Sequence, residues 1–387
     1  MKYIILTALL SALLAGSLIY EVPEAEWQRE VLDNETLGKF VEVDAYGAKV
    51  GVAYVESTEE GLVIEERKMS EIPFLSASGW ERQVVDNKSG AGMYVSLESS
   101  GGKPYLAYQD GTIGEEKLKY AYRNGSKWER EVIEGVAGGG ISVGMYSSLS
   151  FLNGKPVILY HSPSRGLKLA EKKESWSTRR LENGQGWFTS TSSCGDRILA
   201  AYRGRDTARM KLGKYSGEWS SENLSVNARS DVAMDAVDCE PHYLYLDRDS
   251  RQVTYRNGDR EKQFFQAFFS RMSLDVEDQV HLLYHEPGTG VVYRRNNDSS
   301  WIRQVLKEGE DIGRFNDLEV SGGNVYAAYT GDEKVYYSVY NAGDVRERKA
   351  GLRTARIILS ALFIISSGLS LYRRRRQLKE HLGKIRS

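Results

Sequence analysis

Between Trp80 and Trp128 the chain alternates apolar and polar side chains in four short bursts, at residues 80–85, 94–98, 104–108 and 117–123, with Gly, Asn, Asp and Ser between them. A period of two in runs rich in Tyr, Val and Leu predicts half-buried strands. The phrase recurs. A Trp opens the outermost strand of most copies, at Trp27, Trp80, Trp128, Trp176, Trp219 and Trp301, and Phe264 and Phe265 stand in where one is missing. A Tyr closes the second strand of every copy. These are Tyr54, Tyr108, Tyr160, Tyr202, Tyr245, Tyr284 and Tyr329, at intervals of 54, 52, 42, 43, 39 and 45 residues. Four strands per unit, in units that cannot bury both faces alone, predict an all-β array of blades.

The phase of the strands predicts how the array ends. The last copy supplies strands near residues 317–320, 324–329 and 334–340, and no Trp strand follows. The spare Trp strand lies at residues 27–32. A seven-bladed β-propeller over residues 21–343, closed by its own N-terminal strand, uses every strand and leaves no open edge. Alternating strand direction then places both chain ends on one face. The opposite, outward face carries the loops after each landmark Tyr and before each innermost strand.

The ends change the picture. Residues 1–20 are one Lys followed by an apolar run ending in Ala15, Gly16 and Ser17, the pattern of a signal peptide or an uncleaved anchor. After a juxtamembrane linker at 344–356, residues 357–372 carry no charge. Sixteen helical residues reach about 24 Å against a hydrocarbon core of about 30 Å, and Arg356 and Arg373 can snorkel to extend them into a transmembrane helix. The basic segment 373–387 opens with four arginines and predicts a cytoplasmic tail. Residues 343–387 hold twelve basic and three acidic side chains, which leaves 40 basic and 50 acidic ones of the totals of 52 and 53 for the rest. An acidic body excludes nucleic acid as a partner. The expected partner at the C-terminus is the cell membrane, with the propeller on the extracytoplasmic side. Cys194 and Cys239 fall in equivalent turns of adjacent copies and predict a disulfide there. Five Asn-x-Ser/Thr sequons, at Asn34, Asn87, Asn124, Asn223 and Asn297, permit glycosylation.

Two sets of residues could carry chemistry. The outward loops after the Tyr differ from copy to copy, as ligand contacts on a repeated scaffold do: Gln109, Asp110, His161, Arg203, Arg205, Asp247, Arg248, His285 and Glu286. His285 and Glu286 are the one acid/base candidate among them. The innermost strands bring a second set toward the axis. Asp44, Glu98, Ser150, Ser192, Asp235 and Glu319 each lie ten residues before their Tyr, and Asp275 lies nine before. Two residues earlier come Glu42, Ser96, Ser148, Ser190, Ser273 and Asp317, with Ala233 the exception. Such a channel holds water, or a cation among its carboxylates. No cofactor is expected, and no GxSxG, HExxH, Walker or CxxC motif occurs.

The copy at 80–128 resembles a repeat of sialidase-like microbial surface propellers. The likeness rests on Trp80, Val85-Asp86, Gly92, Ser96-Leu97, Gly102 with Pro104, Leu106-Ala107-Tyr108 and Leu118-Lys119-Tyr120-Ala121. Sialidases carry Ser-x-Asp-x-Gly-x-Thr-Trp boxes and an arginine triad, and no such box occurs here. The resemblance therefore implies a fold rather than a reaction. The expected function is a membrane-anchored binding module for a glycan, a protein or an envelope component. The alternatives are a tethered sialidase-like glycoside hydrolase and a scaffold of a secretion or envelope complex.

Overall fold

The structure, a computed structural model, describes residues 27–34, 36, 39–56, 61–69, 79–135, 142–204, 207–267, 271–297, 300–341, 354–362, 364–365, 367–369, 371–372 and 374–376. The expected signal or anchor, most of the linker and the end of the basic tail lie outside the described residues. The chain divides into two compact units, residues 27–339 and the two terminal segments.

The larger unit is all-β. Five sheets have four antiparallel strands each, and a sixth has seven. The long sheet arises because one strand, Trp219–Val237, serves two repeats. Its first half pairs with Arg209–Tyr215 and its second half, from residue 228, pairs with Glu240–Asp247. The strand Trp27–Asp33 lies beside Lys334–Asn341, the third strand of the last sheet, which is the expected closure.

The first strands of the repeats form the innermost layer. They are Lys39–Tyr46, Ala91–Ser100, Met145–Leu152, Gln185–Cys194, residues 228–237, Met272–Val276 and Asn316–Ser321. Each packs against the first strands of its neighbours, and the last packs against the first. These strands do not pair with one another as a sheet, so the backbone N–H groups on their free edge need other acceptors. One side chain per repeat supplies each. Asp317 Oδ2 accepts from Val43 N at 2.9 Å, and Glu42 accepts from Leu97 N. Ser96 Oγ accepts from Leu149 N at 3.0 Å, Ser148 Oγ from Thr191 N at 3.1 Å and Ser190 Oγ from Met234 N at 3.0 Å. Asp235 Oδ2 accepts from Val276 N at 2.9 Å, and Asp275 Oδ2 from Val320 N at 2.5 Å, which completes the circle. Where Ala233 has no acceptor, Asp235 two residues on takes the role, because alternate residues share a face.

The landmark residues hold neighbouring repeats together further out. Indole Nε1 of Trp27 donates to Gln304 at 2.9 Å, of Trp80 to Glu30 at 3.0 Å, of Trp128 to Gln83 at 3.1 Å and of Trp176 to Glu131 at 2.6 Å. Every acceptor lies on the outermost strand of the preceding repeat. The rings pack edge-on against Tyr of that repeat, as in Trp27 on Tyr293 and Trp80 on Tyr337. At the copy without a Trp, Phe264 and Phe265 pack on Tyr284. Three landmark Tyr hydroxyls also join neighbouring repeats, while those of Tyr54 and Tyr329 bond to Glu65 and Ser338 within their own. Tyr108 OH donates to Asp86 of the preceding repeat at 2.8 Å, and Lys119 Nζ lies 2.8 Å from the same carboxylate and 2.7 Å from Asp110. Tyr160 and Lys168 meet Glu134, and Tyr202 and Lys211 meet Glu182, in the same way. Cys194 and Cys239 are bonded across adjacent repeats, with Cα atoms 5.3 Å apart.

Among the described residues the smaller unit has one helix, Thr354–Arg376, 23 residues long and apolar enough by length and composition to cross a membrane. Ile357, Ile364, Ile365 and Leu371 are exposed on it.

Because Lys119 faces two buried carboxylates, Lys119→Ala leaves Asp110 without its cation and Asp86 with only Arg130, 3.8 Å away. The expected loss of stability is about 3–5 kcal/mol, and Tyr108→Phe, which removes one hydroxyl, is expected to lose only about 1 kcal/mol. Chemical denaturation of the two variants checks the contrast.

Candidate functional site

The first strands begin on the face that bears the loops after the landmark Tyr. Fourteen residues before that Tyr stand Phe40, Tyr94, Tyr146, Phe188, Asp231 and Phe315, and Arg271 stands thirteen before its own. The five rings form a continuous arc around the axis. Their centroids are 5.1 Å apart for Phe315–Phe40, 4.9 Å for Phe40–Tyr94, 4.7 Å for Tyr94–Tyr146 and 4.7 Å for Tyr146–Phe188. Asp231 and Arg271 complete the collar as an ion pair, Nη1 to Oδ1 3.2 Å, and the guanidinium lies 5.1 Å from the Phe315 ring centroid. The cavity they line measures about 190 Å³.

The backbone aims these rings inward at a cost. Phe40, Tyr94, Tyr146 and Phe188 have φ between +51° and +53°, each beside a register shift in the pairing of its first and second strands. Bulky residues rarely adopt the left-handed region, and each instance costs about 1–3 kcal/mol. A bulge bends the strand and redirects a side chain, here toward the axis. Three of the four follow a Gly-x-aromatic pattern, at Gly92, Gly144 and Gly186. Those glycines have φ of +99°, +87° and +95°. A Cβ on Gly186 or Gly144 would press within 3.0 or 3.2 Å of the backbone of Leu167 or Leu118 in the preceding repeat.

Below the collar a second cavity of about 200 Å³ runs along the axis, sharing Glu42, Ser96, Ser148, Ser190 and Asp317 with the first. Glu42, Asp44, Glu98, Asp235, Asp275, Asp317 and Glu319 line it. Four of the seven, Glu42, Asp235, Asp275 and Asp317, belong to the hydrogen-bonded circle. Asp44, Glu98 and Glu319, on three successive repeats, do not. Burial drives their protons on. Asp44 is pushed up to about 6, against a hydrogen bond from Ser99, and Glu98 to about 8, with Asp44 adding repulsion. Burial pushes Asp317 up to about 7, and burial with the nearby Asp235 pushes Asp275 to about 8. Burial raises Glu42 well above the carboxylate range, with Asp317 adding to it, and Glu319 likewise with Asp275. Asp231 rises to about 6 by burial, against Arg271. No group of three or more His, Cys, Asp or Glu among the described residues has the geometry of a metal site.

The loop residues expected to meet a ligand are placed differently from one another. Gln109 is buried and donates to Ser142 Oγ at 2.6 Å and Val143 O at 2.8 Å in the next repeat. His161 Nδ1 donates to Gln185 O at 2.9 Å, and His285 Nδ1 to Ile312 O at 2.8 Å, the same bracing role one and four repeats further along the chain. Asp110 is buried against Lys119. Glu286 forms an ion pair with Arg303 at 2.7 Å, and as His285's neighbour on one strand it points to the other face. Asp247 caps its own turn, accepting from Ser250 N at 2.7 Å, and Arg248 Nη1 donates to Thr207 O at 3.5 Å. Arg203 reaches the collar, its guanidinium 5.1 Å from the Phe188 centroid and 5.5 Å from that of Trp187. Arg205 lies outside the described residues. The axial carboxylates and serines are gathered as their spacing implies. The aromatic collar is the feature that spacing missed, although counting four more residues back from the Tyr finds it.

The raised carboxylates make stability depend on pH with a definite sign. Unfolded Asp and Glu release their protons near pH 4, while Asp44, Asp317, Glu98 and Asp275 in the folded protein hold theirs to between about 6 and 8. Their contribution is complete below pH 4 and is lost as pH rises to about 8. Calorimetry is expected to show a melting temperature that falls from pH 5 to pH 8, and Glu98→Gln is expected to flatten that slope.

No protein-family model matches the chain, and no curated protein matches it. Solved structures do. The polysaccharide lyase Uly1 superposes with a TM-score of 0.55 at 8% identity, over 83% of this chain and 100% of that one. The SapL1 lectin in complex with alpha methyl fucoside gives 0.48 at 12% identity, over 70% and 96% of the two chains. A Trypanosoma rangeli sialidase in complex with 2,3-difluorosialic acid gives 0.48 at 11%, over 85% of this chain and 61% of the sialidase. At these identities the likeness is one of fold, and the fold is a β-propeller.

Proposed function

We propose that the protein is a seven-bladed propeller that binds a glycan at its axial mouth, held at a cell membrane by its C-terminal helix. The collar of Phe40, Tyr94, Tyr146, Phe188 and Phe315 carries this reading. Aromatic faces in a concave site bury the apolar faces of a sugar ring, and polar groups at the rim fix its orientation. Strained backbone at four of these residues supports a role beyond packing, since such strain persists where the surrounding structure and the function over-determine it. The polysaccharide lyase that shares the fold makes saccharides the first ligands to try.

Hydrolysis is the second reading. Glu42 and Asp317 both reach the mouth with raised proton affinity, as an acid catalyst requires. Their bonds to Leu97 N and Val43 N favour binding without turnover, because a reacting carboxylate must exchange partners.

Tyr146→Gly separates the roles. It removes one ring of the collar and relieves a left-handed backbone. Screening a glycan panel by calorimetry is expected to find ligands that bind the native protein and bind this variant at least tenfold more weakly, with little change in melting temperature. Sugar release from the same panel would instead establish the hydrolase. For the anchor, the full chain is expected to remain in the membrane pellet after alkaline carbonate extraction, and a chain truncated after residue 343 is expected to be released.

A further inference from the structure

Resting on the glycan reading of the mouth, we infer that the preferred ligand is a sugar bearing a protonated amine, its ring within the aromatic collar and its ammonium directed to Glu42 and Asp317. The axis is unusual in its balance of charge. Seven carboxylates line the lower cavity, and Glu42 and Asp317 lie where it joins the upper one. Among the described residues the cations near the axis are Arg271, which Asp231 neutralises, and Arg203 at the rim beside Phe188. Up to about pH 6 to 8 protons offset most of this acidic lining, and an ammonium can take their place where a neutral or anionic sugar cannot.

Two observations besides the acidic lining point to a cation. Asp44 is 7% exposed and faces the lower cavity, and its Oδ2 meets no hydrogen-bond donor. A buried carboxylate oxygen without a donor is costly and calls for one. The collar is the other. Ring faces attract cations through their quadrupole, and aromatic cages are a recurrent way to recognise ammonium groups. Arg271, stacked 5.1 Å from Phe315, already makes that kind of contact at one end of the arc.

The dimensions fit. The upper cavity of about 190 Å³ admits one sugar ring and the lower one of about 200 Å³ leaves room for its substituent. Two residues of strand separate the collar from Glu42, about 7 Å, the reach of an amine on a seated ring. Binding also helps the protein. An ammonium among the carboxylates favours their charged forms, so it lowers proton affinities that burial and mutual repulsion have raised.

The test compares a β-1,4-linked glucosamine trisaccharide with its fully N-acetylated counterpart, which has the same backbone and no charge. Calorimetry on the full-length protein in detergent at pH 6 is expected to show at least tenfold tighter binding of the free amine, and a preference that shrinks as salt rises. Glu42→Gln and Asp317→Asn keep an acceptor for Leu97 N and Val43 N, and are expected to reduce the preference to less than threefold. Asp44→Asn lies outside the hydrogen-bonded circle and provides a second variant if those two fold poorly; it is expected to weaken the preference for the free amine. Equal binding of the two sugars, or a preference untouched by all three variants, overturns the inference and leaves the glycan reading standing. Absence of binding by either sugar, together with failure of the wider glycan panel, overturns both.

Discussion

The structure depends on a row of backbone N–H groups that have no strand to pair with. The first strand of each repeat presents one edge to its second strand and the other to the axis. On that free edge Val43, Leu97, Leu149, Thr191, Met234, Val276 and Val320 each need an acceptor, and a side chain from the preceding repeat provides it. An orphaned buried donor costs about as much as several favourable contacts return. The requirement therefore dictates one oxygen-bearing residue per repeat near the axis. It also buries polar groups beside the axis, and that burial is why the carboxylates among them hold protons so tightly. The tryptophan belt and the buried Tyr–Lys–carboxylate triads repeat the same solution farther out, each tying one repeat to the one before.

Much of this was legible in the amino-acid order because the landmarks keep constant offsets. The Tyr that ends each second strand, the Trp that opens each outermost strand and the unmatched strand at residues 27–32 pointed to a closed ring without any coordinates. The alternation of Glu42 with Asp44 and of Ser96 with Glu98 placed those pairs on one face. What alternation could not say is which of them grips a neighbouring backbone, since that depends on the edge of a strand in another repeat. The collar was hidden for a different reason. At Tyr94, Tyr146 and Phe188 a bulge interrupts the period of two, so a reading based on period stops just before the residues that matter.

The loops after the Tyr show how variation can mislead. Gln109, His161 and His285 differ as ligand contacts would, yet each donates to a carbonyl of the next repeat. The acid/base look of His285 and Glu286 dissolves for a simpler reason, since consecutive residues on a strand face opposite ways. Arg203 lies against the collar, where its planar cation sits over Phe188 and Trp187, and the His161 ring lies 6.3 Å from that of Tyr146.

The strand Trp219–Val237 passes without a break from the outside of one repeat to the inside of the next, and the Cys194–Cys239 bond spans that same joint. Among the described residues no other strand runs through from one sheet into the next. Two adjacent wedges of the ring are thus fused into one stiff sector. Thermal breathing of the protein must be uneven as a result: the fused sector acts as the anvil, and any transient gap that lets the wheel loosen, admit a protease or exchange its amide protons opens elsewhere on the circumference.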